Sequence, residues 1–265
     1  MSHLRISIIT PSYNQRQFIE RTIQSVLSQR GAFELEYLIV DGGSTDGTLE
    51  ILQRYGGDLH WRSDPDQGQT DAINKGLRQA TGEIVGWLNS DDLLAPGALS
   101  RVAEAFKRHP YLEWVHGRCD MVDARDQVIR KWISAYKHWC CRRYSYSRLL
   151  TENFISQMTV FWRRRILKET GYLNTNLKLA FDYDLWLRFA KRSDPLYIAE
   201  RLASFRWYET SKSGAHFIQQ FDEDYNIACR HAPDHRWLRW RKCAKRIRTV
   251  WIYKGLSLFR LNKAY

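Results

Sequence analysis

Along the first hundred residues, short β-branched runs alternate with segments whose apolar positions recur every three to four residues. The run RISIIT at 5–10 stops at Pro11-Ser12-Tyr13-Asn14, after which Phe18, Ile19, Ile23, Val26 and Leu27 share one helical face. YLIV at 37–40 reads as a second strand, closed by Asp41-Gly42-Gly43-Ser44, and 48–55 as a helix with Leu49, Leu52 and Tyr55 inward. Residues 59–62 form a short strand, 63–68 a loop, and 70–80 a helix with Ile73 and Leu77 inward, ended by Gly82. IVGWL at 84–88 is apolar throughout, the pattern of a strand buried on both faces, and halts at Asn89-Ser90-Asp91-Asp92. A helix presenting Leu99, Val102, Ala103 and Phe106 follows. This alternation predicts an α/β fold with a parallel, doubly wound sheet.

In such a sheet the carboxyl ends of neighbouring strands lie side by side, where ligands bind. Three of them here carry polar turns: Pro11-Ser12-Tyr13, Asp41-Gly42-Gly43 and Asn89-Ser90-Asp91-Asp92. Two adjacent carboxylates raise the energy of ionising each other, a cost that a divalent cation facing a phosphate removes. A solvated turn after a strand is the competing account of the same residues.

Beyond residue 110 the pattern loosens. Residues 113–116, 120–122 and 127–132 read as further strands, and 153–162 (NFISQMTVFW) as another. Residues 133–148, SAYKHWCCRRYSYSRL, are aromatic and basic without a period; they read as a mobile loop over a binding site or at a membrane surface, or as packed surface aromatics. The helix after Arg163-Arg164-Arg165 ends at Gly171, and FDYDLWLR at 181–188 predicts a largely buried helix with acids at its start. Those acids suit the helix dipole as well as catalysis.

Composition adds direction. The formal net charge of +12 is unevenly placed: residues 1–100 hold 8 Lys and Arg against 13 Asp and Glu, the remaining 165 hold 33 against 16. The first part concentrates carboxylates, and the second is built to meet an anionic surface. From Arg230 on, 11 Lys and Arg face one acid, Asp234. Trp237, Trp240, Ala244, Ile247 and Trp251 recur there at helical spacing. This basic amphipathic tail, 230–265, fits an anionic membrane interface; docking on the rest of the chain and binding nucleic-acid phosphates are its alternatives, the last disfavoured by the absence of an accompanying motif. Five cysteines fall in no disulfide or metal-ligand spacing, and neither a spanning segment nor a signal-peptide layout is apparent, so a cytoplasmic protein with reduced thiols is expected.

IITPSYNQ, LIVDGGSTDGT, DQGQTDAINKGLRQATGEIVGWLNSDD and FDYDLWLR, in this order between about residues 5 and 215, together resemble glycosyltransferase family 2. The resemblance implies a single nucleotide-diphospho-sugar transferase domain of the type A fold over 1–229, with a donor half (1–110) and an acceptor half (111–229). It implies Thr10, Pro11, Tyr13, Asp41, Gly68, Asp71, Asn74 and Asp91 around a nucleotide-sugar, with Pro11 and Tyr13 against the base and Asp41 accepting its imide N–H. Gly42 stands where many relatives carry a second acid, and Asn89 where the metal motif has its first Asp, leaving Asp91 and Asp92 for Mg²⁺ or Mn²⁺. Asp182 aligns with the catalytic base, Phe181 replacing the usual preceding Glu, and Asp184 is a cap or fallback. Gln157 corresponds to a cleft-facing position; Tyr208 stands where a His is common, with His216 nearby. The implied activity is inverting transfer from a UDP-sugar or similar donor to a saccharide or lipid-linked saccharide in surface polysaccharide assembly, at the inner face of a membrane and without nucleic acid. A sugar-1-phosphate nucleotidyltransferase is the rival enzyme, but it needs a Gly-rich basic loop after the first strand, which TPSYNQ is not. A non-catalytic sugar-nucleotide or membrane-binding module would lack a usable base at Asp182.

Overall fold

The computed structural model describes residues 4–208, 211–212, 216–233, 237 and 240–244. The first half builds β1 (Leu4–Ser12), α1 (Ile19–Leu27), β2 (Phe33–Asp41), α2 (Thr48–Arg54), β3 (His60–Ser63), α3 (Gln69–Gln79), β4 (Ile84–Trp87), β5 (Leu93–Leu94) and α4 (Ala98–Arg108). The second builds β6 (Trp114–Val122), β7 (Val128–Ile129), α5 (Lys131–Arg142), α6 (Tyr146–Thr151), β8 (Phe161–Arg163), α7 (Leu167–Thr170), α8 (Phe181–Ala190), β9 (Leu196–Arg206) and α9 (Phe217–His231).

One nine-stranded sheet runs in the order β3-β2-β1-β4-β8-β6-β9-β5, with β7 on β6. The β3-β2-β1-β4 block is parallel, as the alternating pattern requires. β8 pairs antiparallel with both β4 and β6, and β6 runs parallel to β9, making the sheet mixed. Side chains alternate across β1: Ile6 and Ile8 join α1 and α4 in one core, while Ile9 joins α3 and α8 in the other. Each large apolar group so buried contributes roughly 1.5–3 kcal/mol. The second core contains stacked indoles, Trp87 on Trp186 at 5.4 Å and Trp186 on Trp114 at 6.2 Å. Register sets Ser12, Asp41 and Ser63 in one row at the carboxyl ends of β1, β2 and β3.

Several expectations change. Trp114–Val122 form one strand, and most of 153–160 is irregular, with a 3₁₀ turn at Gln157–Thr159. Gly82 does not cap α3, which stops at Gln79; a Cβ there would lie 2.4 Å from Ser7 Oγ, so its glycine serves close approach. Gly171 does end its helix, at φ 74°. The segment expected as a loop is helical over α5 and α6. Its pattern misleads because α5 buries Ser134, Cys140 and Cys141 and turns Trp132, Tyr136 and Trp139 outward. All five cysteines are free thiols. Among the described residues no helix is long and apolar enough to cross a membrane.

Most of the 230–265 tail lies outside the described residues. Within the described part Trp237 and Trp240 are exposed, whereas Lys242 is buried with its ammonium 4.5 Å from the centre of the Tyr183 ring.

Candidate active site

A cavity of about 1030 Å³ opens at the carboxyl ends of β1, β2 and β4 and continues between α5, α8 and α9. Of the residues implicated by sequence, Pro11, Tyr13, Gly68, Asp91, Gln157 and Asp182 line it. Asp91 and Asp182 therefore meet one space, although 90 residues separate them in the chain.

Thr10, Asp41, Asp71, Asn74 and Asp92 do not line it, and each is engaged in framework bonds. Thr10 Oγ1 lies 3.1 Å from the Tyr37 hydroxyl. Asp41 is fully buried and accepts four hydrogen bonds, from the Gly43 and Ser44 amides (3.0 and 2.8 Å) and the Ser44 and Ser63 hydroxyls (2.5 and 2.7 Å). Three of the four reach Oδ2 and one reaches Oδ1. Asp41 thus shapes the turn whose Gly42 reaches the cavity. A side chain at Gly42 would place its Cβ 2.7 Å from the Asp66 carboxylate. Asp71 pairs with Lys75 at 2.8 Å, and Asn74 donates to and accepts from the Leu173 backbone at 2.9 and 3.1 Å.

Around β4 the two adjacent acids separate by environment. Asp91 lines the cavity and accepts the Tyr208 hydroxyl at 2.9 Å. Asp92 is fully buried; its carboxylate accepts the Arg206 amide at 2.9 Å and the Asn89 side chain at 3.3 Å. Arg206, also fully buried, donates through its guanidinium to the Asp91 carbonyl and to Asp126 at 2.5 and 3.1 Å, and lies 4.6 Å over the Phe18 ring. Asp126 also holds Arg21 at 2.6 Å, tying α1 to the turn. Burial pushes both Asp91 and Asp92 above the ordinary carboxylate range, and the charge of Asp91 pushes Asp92 further. Asn89 fits this crowding. Its amide donates to Asp92 and its carbonyl accepts from Gln69 at 2.9 Å, whose own oxygen accepts Lys212 Nζ at 3.0 Å. An aspartate at 89 would still accept from Gln69 but would set a carboxylate oxygen against Asp92 where the amide now donates.

Among the described residues no three His, Cys, Asp or Glu side chains cluster as a metal site. Asp92 is turned into the framework, so the protein offers Asp91 alone to the cavity from this pair. Mg²⁺-type ions bound by one or two carboxylates complete their shell with water and substrate phosphates, and the donor set fits such an ion only with a phosphate ligand present.

At the other end stands Asp182, one residue into α8. Glu223 of α9 accepts the amides of Lys178, Leu179 and Ala180 at 2.9, 2.7 and 2.5 Å, fixing where α8 begins. Asp182 accepts its neighbour's amide, Tyr183 N–H, at 2.7 Å, and no side chain among the described residues is hydrogen-bonded to it. Burial first, and the charge of Asp224 second, push its carboxyl up to about 7. Asp184 behaves oppositely. Burial raises it, but hydrogen bonds from His231 (3.1 Å) and Arg188 (3.0 Å) outweigh that and hold it below the ordinary range, so it is a structural ion pair and not a free base. Gln157 donates to the Trp87 carbonyl at 2.7 Å. His216 lies outside the cavity with Gln219 at 2.8 Å.

Sequence reasoning missed Arg206, Lys212, Glu223, Asp224 and Lys242. Arg206 ends β9 with nothing in the sequence to mark it, and acids such as Glu223 and Asp224 within an exposed-looking helix read as solvated.

Residues 7–181 match the family model described as Glycosyl transferase family 2, and the chain belongs to that family. It is 34% identical over 130 residues to an uncharacterised glycosyltransferase of Nostoc sp. (48% of this chain, 40% of the relative). It is 32% identical over 192 residues to a PGL/p-HBAD biosynthesis glycosyltransferase of Mycobacterium bovis (69% of this chain, 68% of the relative). Its fold matches S. aureus TarS in complex with UDP-GlcNAc, with a TM-score of 0.63 at 19% identity (87% of this chain, 67% of that one). It also matches a mannosyltransferase of Pyrobaculum calidifontis in complex with GDP-Man and Mn2+, with a TM-score of 0.62 at 18% identity (98% of this chain, 82% of that one). The chain spans 40% of the length of the Nostoc relative and 39% of the longer TarS chain.

Proposed function

We propose that this glycosyltransferase transfers a sugar, with inversion, from a UDP-sugar to a hydroxyl of a saccharide or lipid-linked saccharide in surface polysaccharide assembly. The observation that carries the reading is Asp182, a carboxylate with one neighbour bond, sharing a cavity of about 1030 Å³ with Asp91. Inversion is a single displacement and needs one base. The acceptor oxygen bonds to the anomeric carbon as the bond from that carbon to the diphosphate oxygen breaks. The electron pair leaves with the diphosphate, and the acceptor proton passes to Asp182. The transition state has oxocarbenium character, as in glycoside cleavage. Tyr13, 62% exposed at the rim, and Pro11 supply a flat wall for the base, while Asp41 holds the adjoining turn. Lys212, held by Gln69, places a cation on the same wall for the diphosphate. Asp91 is the residue to hold a divalent ion, which when bound supplies positive charge to the departing diphosphate.

The acceptor reading draws on the cavity rim. Trp132, Tyr136 and Trp139 follow one another at helical spacing on α5, with Trp132 57% and Trp139 45% exposed, and the Arg143 and Arg148 guanidiniums each lie 4.8 Å from the Trp139 ring. Outward indoles among cations suit an interface of anionic headgroups, where a lipid-linked acceptor would reside. The Trp132→Ser/Trp139→Ser double variant is expected to leave anionic vesicles in a flotation assay that retains the parent protein. Equal flotation removes α5 from that role.

The donor is tested by thermal shift and nucleoside-diphosphate release across UDP- and GDP-sugars with Mn²⁺. A ligand at 100 times its Kd stabilises by about 2.7 kcal/mol. A shift with one UDP-sugar alone is expected; a shift with GDP-mannose alone reassigns the base, and no shift with any removes the reading.

A further inference from the structure

Asp224 is an ionisable group in the wrong place for a bystander. It is only 6% exposed, lines the cavity beside Asp182 and has the Asn153 side chain as a hydrogen-bonding neighbour, yet its Oδ1 has no hydrogen-bond partner among the described residues. An unsatisfied buried carboxylate oxygen is costly, and it persists where a ligand supplies the missing donor. The local build is deliberate: Glu223 clamps the start of α8, and the next residue on α9 is thereby set against the first turn of the helix that carries Asp182. Charged and titratable neighbours face Asp224 from each side: Asp182 and Tyr183 from α8, Glu223 from α9 itself, Lys137 from α5, and Lys242. Burial raises the Asp224 carboxyl to about 6, Lys242 and Lys137 limiting the rise. Lys137 and Lys242 are already placed against the Ser156 and Tyr183 oxygens, both at 3.4 Å.

We propose that Asp224 is a second acceptor-binding carboxylate, whose open oxygen receives a hydroxyl adjacent to the one that Asp182 deprotonates. The site then takes acceptor sugars with two neighbouring free hydroxyls. A hydroxyl is the matching group, because it brings a donor without adding charge to a region that already pairs two carboxylates with two ammoniums. One hydroxyl anchored on Asp224 orients the sugar ring, so the second presents its proton to Asp182. The charge on Asp224 also keeps Asp182 basic near neutrality. This deepens the proposed transfer reaction and rests on it.

The test uses the full chain, its active UDP-sugar, and methyl hexosides with their monodeoxy analogues as acceptors. Asp224→Asn and Asp224→Ala are expected to raise the acceptor KM at least tenfold. Donor affinity, read by thermal shift with the UDP-sugar, stays within twofold. The acid limb of kcat/KM moves to lower pH, since the negative neighbour of Asp182 is gone. Deleting one particular acceptor hydroxyl costs the parent enzyme tenfold and costs the variants nothing, the signature of a direct contact. An unchanged KM with the same deoxy penalty in parent and variants overturns the proposal. Should the parent turn over no nucleotide-sugar, the transfer reading fails by itself. Ligand-observed NMR with the same hexosides still decides, because equal binding to parent and Asp224→Ala overturns the role of Asp224 and lost binding to the variant upholds it.

Discussion

Asp182→Asn is expected to lower the rate of sugar transfer by roughly 10²–10⁴, the contribution of a positioned general base, and to leave donor affinity within a few-fold. The variant keeps the shape of the side chain and its acceptor bond to the Tyr183 amide while removing the proton acceptor. In the parent enzyme kcat/KM is expected to rise with pH through about 7, because a base pushed up to that value must ionise before it can take a proton. Stability runs the other way. A carboxyl raised from its ordinary value of 3.8 contributes stability that is complete below that value and lost as pH climbs through about 7. At pH 8 the Asn variant, with no charge to bury, should therefore be more stable than the parent by an amount on the order of a few kcal/mol or less, read as a higher unfolding temperature. Loss of activity together with gained stability is the mark of a base held in an unfavourable place. Undiminished turnover in Asp182→Asn takes the base role from this residue.

How far this could be read from the chain depends on what kind of interaction placed each residue. Strands β1 to β4 and their helices were legible because burial on two faces or one writes itself into local periodicity. The meeting of Pro11, Tyr13, Asp91 and Asp182 was legible through strand-end geometry and the family resemblance. Helix α5 was not, since its outward face carries the indoles and its buried face small residues, inverting the usual signal. The fates of individual acids were not legible either. Asp41, Asp92 and Asp184 differ from Asp182 by which distant donors reach them: Ser63 across β3, the Arg206 amide on β9, His231 at the end of α9. Those partners lie 22 to 114 residues away and leave no local trace. The pairing of Glu223 and Asp224 with the start of α8 is likewise a tertiary event, invisible until two helices are packed.

Asp91 and Asp92 provide the sharpest separation, since two adjacent identical side chains should fail in different ways. Asp91→Ala removes a cavity-facing carboxylate whose side-chain hydrogen-bond partner among the described residues, the half-buried Tyr208 hydroxyl, can turn to water. Its unfolding free energy should stay within about 0.5 kcal/mol of the parent's, while turnover with Mn²⁺ falls roughly 10²–10³, the scale on which removing charge stabilisation at a leaving group is felt. Asp92→Ala instead strands the buried Arg206 amide and the Asn89 side chain, a loss of roughly 1–3 kcal/mol for the unsatisfied amide, read as a lower denaturant midpoint. Chelation joins the two halves. EDTA should suppress the parent to the level of Asp91→Ala and take little further from that variant, because both remove one interaction and two routes to the same loss do not add. Since Asp91 is raised by burial, it must shed a proton to hold a cation, and the apparent Mn²⁺ affinity should strengthen as pH rises. A parent enzyme indifferent to EDTA would leave Asp91 as an anchor for Tyr208, and diphosphate charge would then fall to Lys212.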